Sequence, residues 1–144
     1  MGAQENIKLV QDMNAADRAR DEERYLSFWA DDATTRFTGV PRALGGLTQG
    51  KAQIRENFRN AQPPFPEPQV RTIFADDKHV CVVARVTGKY NGTAFFKGTG
   101  QPYTIYSCIV YEIEGGRIKS STNYMNLLDM YVQVGLVDVS KLTA

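Results

Sequence analysis

The chain has 144 residues, of which 42% are hydrophobic and 23% charged, and its formal net charge is +1. That length suits a single domain spanning 1–144, with a core large enough to hold without disulfides or metal. A nearly neutral chain lacks the dense basic face of a nucleic-acid binder, and no run approaches the ~18 apolar residues of a membrane span, so neither partner is expected.

Residues 4–30 read as helical, because Ile7, Val10 and Met13, and then Tyr25, Phe28 and Trp29, recur at helical spacing. The charged stretch Ala15 to Glu23 either breaks this segment into two helices or continues as one solvated face. A helix end is expected near Ala30-Asp31-Asp32, and Ala33 to Gly39 reads as a first, Thr-rich strand. Pro41 and a series of glycines make Val40 to Gly50 a turn or short hairpin. Lys51 to Asn60 is a second helical stretch, with Ile54 and Phe58 on one face, and it is stopped by Pro63, Pro64, Pro66 and Pro68. Strands follow at Val70 to Ala75, His79 to Gly88, Tyr103 to Glu112 and Arg117 to Asn126, with a loop or protruding hairpin at Tyr90 to Gln101. Leu127 to Val134 closes the chain as a short helix capped by Gly135. Helices first and an antiparallel sheet after them indicate an α+β domain with helices on one face of the sheet.

Alternation puts Val80, Val82, Ala84 and Val86 on one face of their strand and Cys81, Val83, Arg85 and Thr87 on the other. The next strand divides Tyr106, Cys108 and Val110 from Ile105, Ser107, Ile109 and Tyr111. Both faces are apolar, so helices are expected to cover one of them. A second copy of the chain is expected on the other, giving a homodimer through the outer sheet face, unless the terminal segment supplies that cover. Cys81 and Cys108 sit in apolar runs and read as two buried thiols. The N-terminus has no apolar signal-peptide core, which points to the cytoplasm. One histidine and two cysteines at unsuitable spacing give no metal site, and no phosphate loop or dinucleotide fingerprint occurs, so no cofactor is expected.

The segment Tyr25-Leu-Ser-Phe-Trp-Ala-Asp-Asp-Ala33, the helix start Gly50-Lys-Ala-Gln-Ile54, the hairpin Glu112 to Asn126 and the closing segment Tyr124 to Gly135 together resemble the nuclear transport factor 2-like superfamily. Within it the resemblance is to SnoaL-like polyketide cyclases, ketosteroid isomerases and limonene epoxide hydrolases. It covers essentially the whole chain and implies a cone in which a curved, largely antiparallel (mixed) sheet wraps the N-terminal helices around one deep apolar pocket. The catalytic positions of two of these branches are altered. The isomerase base position matches Phe37, and its oxyanion-hole positions fall near Leu9 and Ile109. The epoxide hydrolase Arg-x-Asp reads Arg85-Val86-Thr87, with Asn123 in place of the last-strand Asp.

Under this resemblance Arg85, Asn123 and Tyr111 are the candidate catalytic residues. Arg85 interrupts an apolar strand and is either a fixed cation for an oxyanion or a structural or snorkelling cation. Asn123 either orients a carbonyl or is a satisfied core amide. Trp29, Phe37, Phe58, Thr87, Tyr103, Ser107, Ile109, Ser121 and Met125 are the candidate lining of a substrate pocket, and Arg85 and Thr87 are placed on the concave face with Ser107, Ser121, Asn123 and Met125. The expected function is a cofactor-independent enzyme that cyclises, isomerises or dehydrates a small hydrophobic carbonyl compound, polyketide- or terpenoid-like. The alternatives are a non-catalytic binding or accessory protein with the same pocket, and an interaction role through the sheet face.

Overall fold

A computed structural model describes residues 1–92 and 96–143. The chain opens with helix α1 (Ala3–Arg18) and a second short helix α2 (Glu22–Ser27), not one continuous helix. The break is local: Arg20 adopts φ 55, a left-handed conformation that ends a helix, and the Asp21 side chain caps α2 by accepting from the Arg24 amide. Strand β1 (Trp29–Phe37) therefore begins four residues earlier than the sequence suggests, because the apolar spacing through Trp29 continues past the real helix end. A turn leads to β2 (Leu47–Gln49) and helix α3 (Lys51–Asn60), which presents Ile54 and Phe58 to the core. Strand β3 (Glu67–Ala75) starts earlier than Val70 and includes Pro68. An edge strand tolerates a residue that donates no ladder hydrogen bond. Strands β4 (His79–Lys89), β5 (Pro102–Glu114) and β6 (Arg117–Met125) follow. Of the stretch expected as a loop or protruding hairpin between β4 and β5, Gly92 bridges Lys97, and 93–95 lie outside the described residues. Helix α4 (Leu127–Gln133) is capped by the Asn126 side chain and followed by Gly135 at φ 80.

The six strands form one sheet in the order β2-β1-β6-β5-β4-β3. The pairs are antiparallel except β1–β6, which is parallel, so the first long strand docks beside the last. The β1–β6 register shifts between Trp29 and Thr34, and two further irregularities shape the sheet. Around Arg71 in β3 and around Lys119 in β6 the register shifts by one residue. Each such bulge puts residues three apart on one face, Val70 with Ile73 and Ile118 with Ser121, and increases local twist.

The concave face carries Val80, Val82 and Ala84 of β4, Ile105, Ser107, Ile109, Tyr111 and Ile113 of β5, and Ser121, Asn123 and Met125 of β6. Helix α1 covers one end of it through Leu9, Val10 and Met13, with Leu26, Trp29 and Ile54 in the same core. Helix α4 covers the other end, where Leu127, Met130 and Val134 pack on Tyr103 and Ile105. Asn6, fully buried, ties α1 to the β3–β4 turn by donating from Nδ2 to the Asp76 carbonyl at 3.1 Å. The outer face holds Phe74, Tyr106 and Tyr124, all exposed, and a single chain leaves it uncovered.

Candidate active site

The register separates residues that the sequence groups together. Arg85 pairs with Tyr106 and Thr87 with Thr104, whereas Ala84 pairs with Ser107 and Val82 with Ile109. Arg85 and Thr87 therefore belong to the outer face, on the opposite side of the sheet from Ser107, Ser121, Asn123 and Met125. The placement fails for the simplest reason in a sheet: side chains have period two, and a shift of one residue exchanges the faces. The Arg85 guanidinium makes no hydrogen bond or ion pair among the described residues, and its stem lies half-buried between the neighbouring strands.

The other candidates fall into three groups along the concave face. Tyr111, Trp29 and Phe58 lie under α1, α2 and α3. Ser107, Ile109, Ser121 and Asn123 form the middle, with Phe37 paired to Asn123 across the parallel strands. Tyr103 and Met125 lie under α4, where the Tyr103 ring packs against the bare Cα of Gly88. Burial raises the pKa of the Tyr103 phenol. In the middle group the buried Asn123 Oδ1 has no hydrogen-bond partner among the described residues.

The first group has the most chemistry, and it gathers three residues absent from the sequence-derived set, Asp17, Arg20 and Tyr25. Asp17 lies on the same side of α1 as Val10 and Met13, with its side chain half-exposed. Its carboxyl pKa is raised by desolvation, an effect the nearby Arg20 and Arg18 guanidinium groups only partly offset. Arg20 holds Asp17 at 3.1 Å, donates to the Phe58 carbonyl, and stacks its guanidinium 3.7 Å above the Phe58 ring. Tyr25, on α2, stacks against Phe58, its ring 5.0 Å from Phe58 and 6.0 Å from Trp29. Its phenol pKa is raised by burial and then by the charge of Asp17. Tyr111 reaches the same place from β5; burial raises its pKa, with further contributions from Tyr25 and Asp17, and its hydroxyl has no hydrogen bond among the described residues. The Trp29 indole N–H is buried beside Tyr25 without a completed hydrogen bond.

One carboxylate, two phenols and an indole N–H thus converge where the first helices meet the sheet. Next to them a cleft of about 290 Å³ opens between α1 and β3, lined by Gln11, Asn14, Arg18, Val70, Ile73 and Val82. Asp17, Tyr25, Trp29 and Tyr111 are not among its lining residues; Asn14 precedes Asp17 by less than one helical turn, and Val82 belongs to the same core cluster as Tyr111, so the cleft adjoins the polar group. The β3 bulge is what turns both Val70 and Ile73 into this cleft. A volume of this size is at the lower end of small-molecule sites.

Profile comparison matches the SnoaL-like domain to residues 10–121. The chain belongs to the SnoaL-like domain family. No curated protein matches the chain in sequence. Among solved structures, an NTF2-like protein from Burkholderia xenovorans LB400 is 22% identical, with 93% of this chain and 98% of that one covered and a TM-score of 0.76. A protein described as a SnoaL-like polyketide cyclase, from Jannaschia sp. CCS1, is 14% identical over 94% and 95%, with a TM-score of 0.77. An LEH-like epoxide hydrolase from M. tuberculosis is 18% identical over 99% and 98%, with a TM-score of 0.71. These likenesses establish the NTF2-like cone fold for this SnoaL-like chain. No carboxylate occupies the strand positions at which the sequence resembles an epoxide hydrolase: Arg85-Val86-Thr87 straddles the sheet with its polar ends outward, and Asn123 is an amide.

Proposed function

We propose that this SnoaL-like protein is a cofactor-independent enzyme that moves a proton at the carbon beside a carbonyl group, and so isomerises, cyclises or dehydrates a small hydrophobic substrate of polyketide or terpenoid type. The observation that carries this reading is the convergence of Asp17 with Tyr25 and Tyr111. A general base works best when its pKa lies near the working pH, and partial burial moves Asp17 in that direction. Abstraction of the proton by the Asp17 carboxylate leaves negative charge on the carbonyl oxygen. The Tyr111 phenol, with no hydrogen-bond partner among the described residues, is the donor free to meet it, and the Trp29 N–H lies beside the Tyr25 oxygen. Tyr25 stays protonated beside Asp17 and sets the polarity around the base. Arg20 positions the base: its guanidinium is fixed by Phe58 on two sides and holds the Asp17 carboxyl in place. The apolar wall Val70, Ile73 and Val82 accepts the substrate body.

The test is hydrogen–deuterium exchange at the α-carbon of a panel of cyclic ketones and 1,3-dicarbonyl compounds, followed by NMR in D₂O. Enzyme-dependent exchange with at least one probe is expected, with loss of roughly a hundredfold or more in Asp17→Asn, the scale of a removed general base. Binding without exchange for every probe would make this a carrier or accessory protein. Exchange that survives in Asp17→Asn would show that the base lies elsewhere.

A further inference from the structure

Cys81 and Cys108 project from the outer face, and their Sγ atoms lie 3.3 Å apart, within hydrogen-bond distance of each other. Both are free and half-buried, in contact with solvent on the side away from the helices. In the β4–β5 register Cys81 is opposite Val110 and Cys108 is opposite Val83, so the thiols are diagonal neighbours across the ladder. Nothing in the concave-face chemistry uses them. We propose that Cys81 and Cys108 form a reversible dithiol site that closes to an intramolecular disulfide on reaction with low-molecular-weight disulfides of the oxidised-glutathione type.

The chemistry balances within the pair and the oxidant. One cysteine thiolate attacks a sulfur of the small disulfide, forming a mixed disulfide and releasing one small thiol. The second cysteine attacks the protein-bound sulfur, the internal S–S bond forms, and the second small thiol leaves. Two electrons pass from the protein thiols to the small disulfide, and the two thiol protons end on the released thiols. The 3.3 Å contact makes the second step far more effective than attack by another molecule, because the resolving sulfur is already in place. Diagonal neighbours stand ~7–8 Å apart at their Cα atoms, beyond the usual span of a bridge. Closure therefore draws β4 and β5 together and yields a strained bond that excess thiol reopens, as expected of a labile rather than a structural disulfide. Burial and the shared hydrogen bond push the Cys81 thiol up to about 11, so closure accelerates as the pH rises toward that value.

Dilute folded protein is treated with oxidised glutathione and followed by intact mass spectrometry and thiol titration. The expected product has lost both titratable thiols and two hydrogens, carries no glutathione, remains one chain on a non-reducing gel, and regains both thiols with dithiothreitol. Cys108→Ser should instead stop at the mixed disulfide, with glutathione retained on Cys81. The folded wild type should also take up one equivalent of a trivalent arsenical, phenylarsine oxide, while Cys108→Ser takes up none that survives gel filtration. Two thiols that stay unreactive until the protein is denatured, a wild type that retains glutathione, or disulfide-linked dimers as the main product would each overturn the proposal.

Discussion

Tyr111→Phe removes one oxygen atom at the margin of the core and should lower activity while leaving stability close to that of the wild type. Tyr111 is 4% exposed, and its ring belongs to the core between α1 and the sheet, so the substitution leaves the packing of six ring carbons unchanged. Its hydroxyl has no hydrogen-bond partner among the described residues. Trp29 and Asn123 carry buried polar atoms without a partner, but the Tyr111 oxygen keeps some contact with solvent, so its removal relieves no full desolvation cost. The variant should stay within about 0.5 kcal/mol of the wild type, or about 2 °C in midpoint for a chain of this length. Urea denaturation read by tryptophan fluorescence and a thermal scan by circular dichroism measure this directly. In the proton-exchange assay the same variant should lose about 10²-fold, the scale of one lost oxyanion donor. A loss of more than 1 kcal/mol in stability would mean that the hydroxyl is bonded after all. Unchanged exchange in a stably folded variant would make Tyr111 a filler and remove it from the site.

Asp17 gives a pH dependence with a defined sign. A carboxyl whose folded pKa is raised binds more protons in the native than in the unfolded chain, so its contribution to stability is full below the ordinary value of 3.8 and is lost as pH rises through the raised value. Asp17→Asn should flatten that part of the stability profile, and in the wild type kcat/KM should climb through the same window; a variant with the wild-type profile in both would exonerate Asp17. Arg85→Ala should retain exchange activity within about twofold, since the side chain lies on the far side of the sheet; a tenfold fall in kcat with a native circular dichroism spectrum would return Arg85 to the site. Asn6→Ala should cost about 1–3 kcal/mol in urea denaturation, because it opens a hole at a fully buried position and strips the Asp76 carbonyl of its donor. A change below 0.5 kcal/mol would show that α1 is held by its apolar stripe alone.

Much of this architecture is legible in the sequence. The period-two patterns of β4 and β5 survive intact, and the second helix and the closing helix lie close to where Ile54, Phe58 and Gly135 mark them. What fails does so for identifiable reasons. The turn at Arg20 depends on one left-handed residue without a glycine, so no composition signal announces it. Arg85 draws attention as a lone cation in an apolar strand, but its face is opposite to that of its neighbour Ala84, the small residue that packs inside. Asp17 was hidden in a charged run that reads as a solvated helix face, and only the position of Tyr111, 94 residues later in the chain and on another element, makes that carboxylate different from its neighbours. A site assembled from α1, α2, β1 and β5 leaves no local motif to find.

The parallel pairing of β1 with β6 sets a schedule for synthesis. Trp29 meets Ile118 and Phe37 meets Asn123, so one side of the first long strand has no partner until almost the whole chain exists. Contacts of such sequence separation slow folding, since the closure entropy of the intervening chain must be met before they form. A ribosome-bound chain halted before β6 holds β1 as an unpaired edge, with only the three residues of β2 beside it, and such edges invite association with other chains. Permuted chains that join the natural termini and open between β3 and β4 would make β6 and β1 near neighbours in order of synthesis, and their refolding rate should exceed that of the natural order.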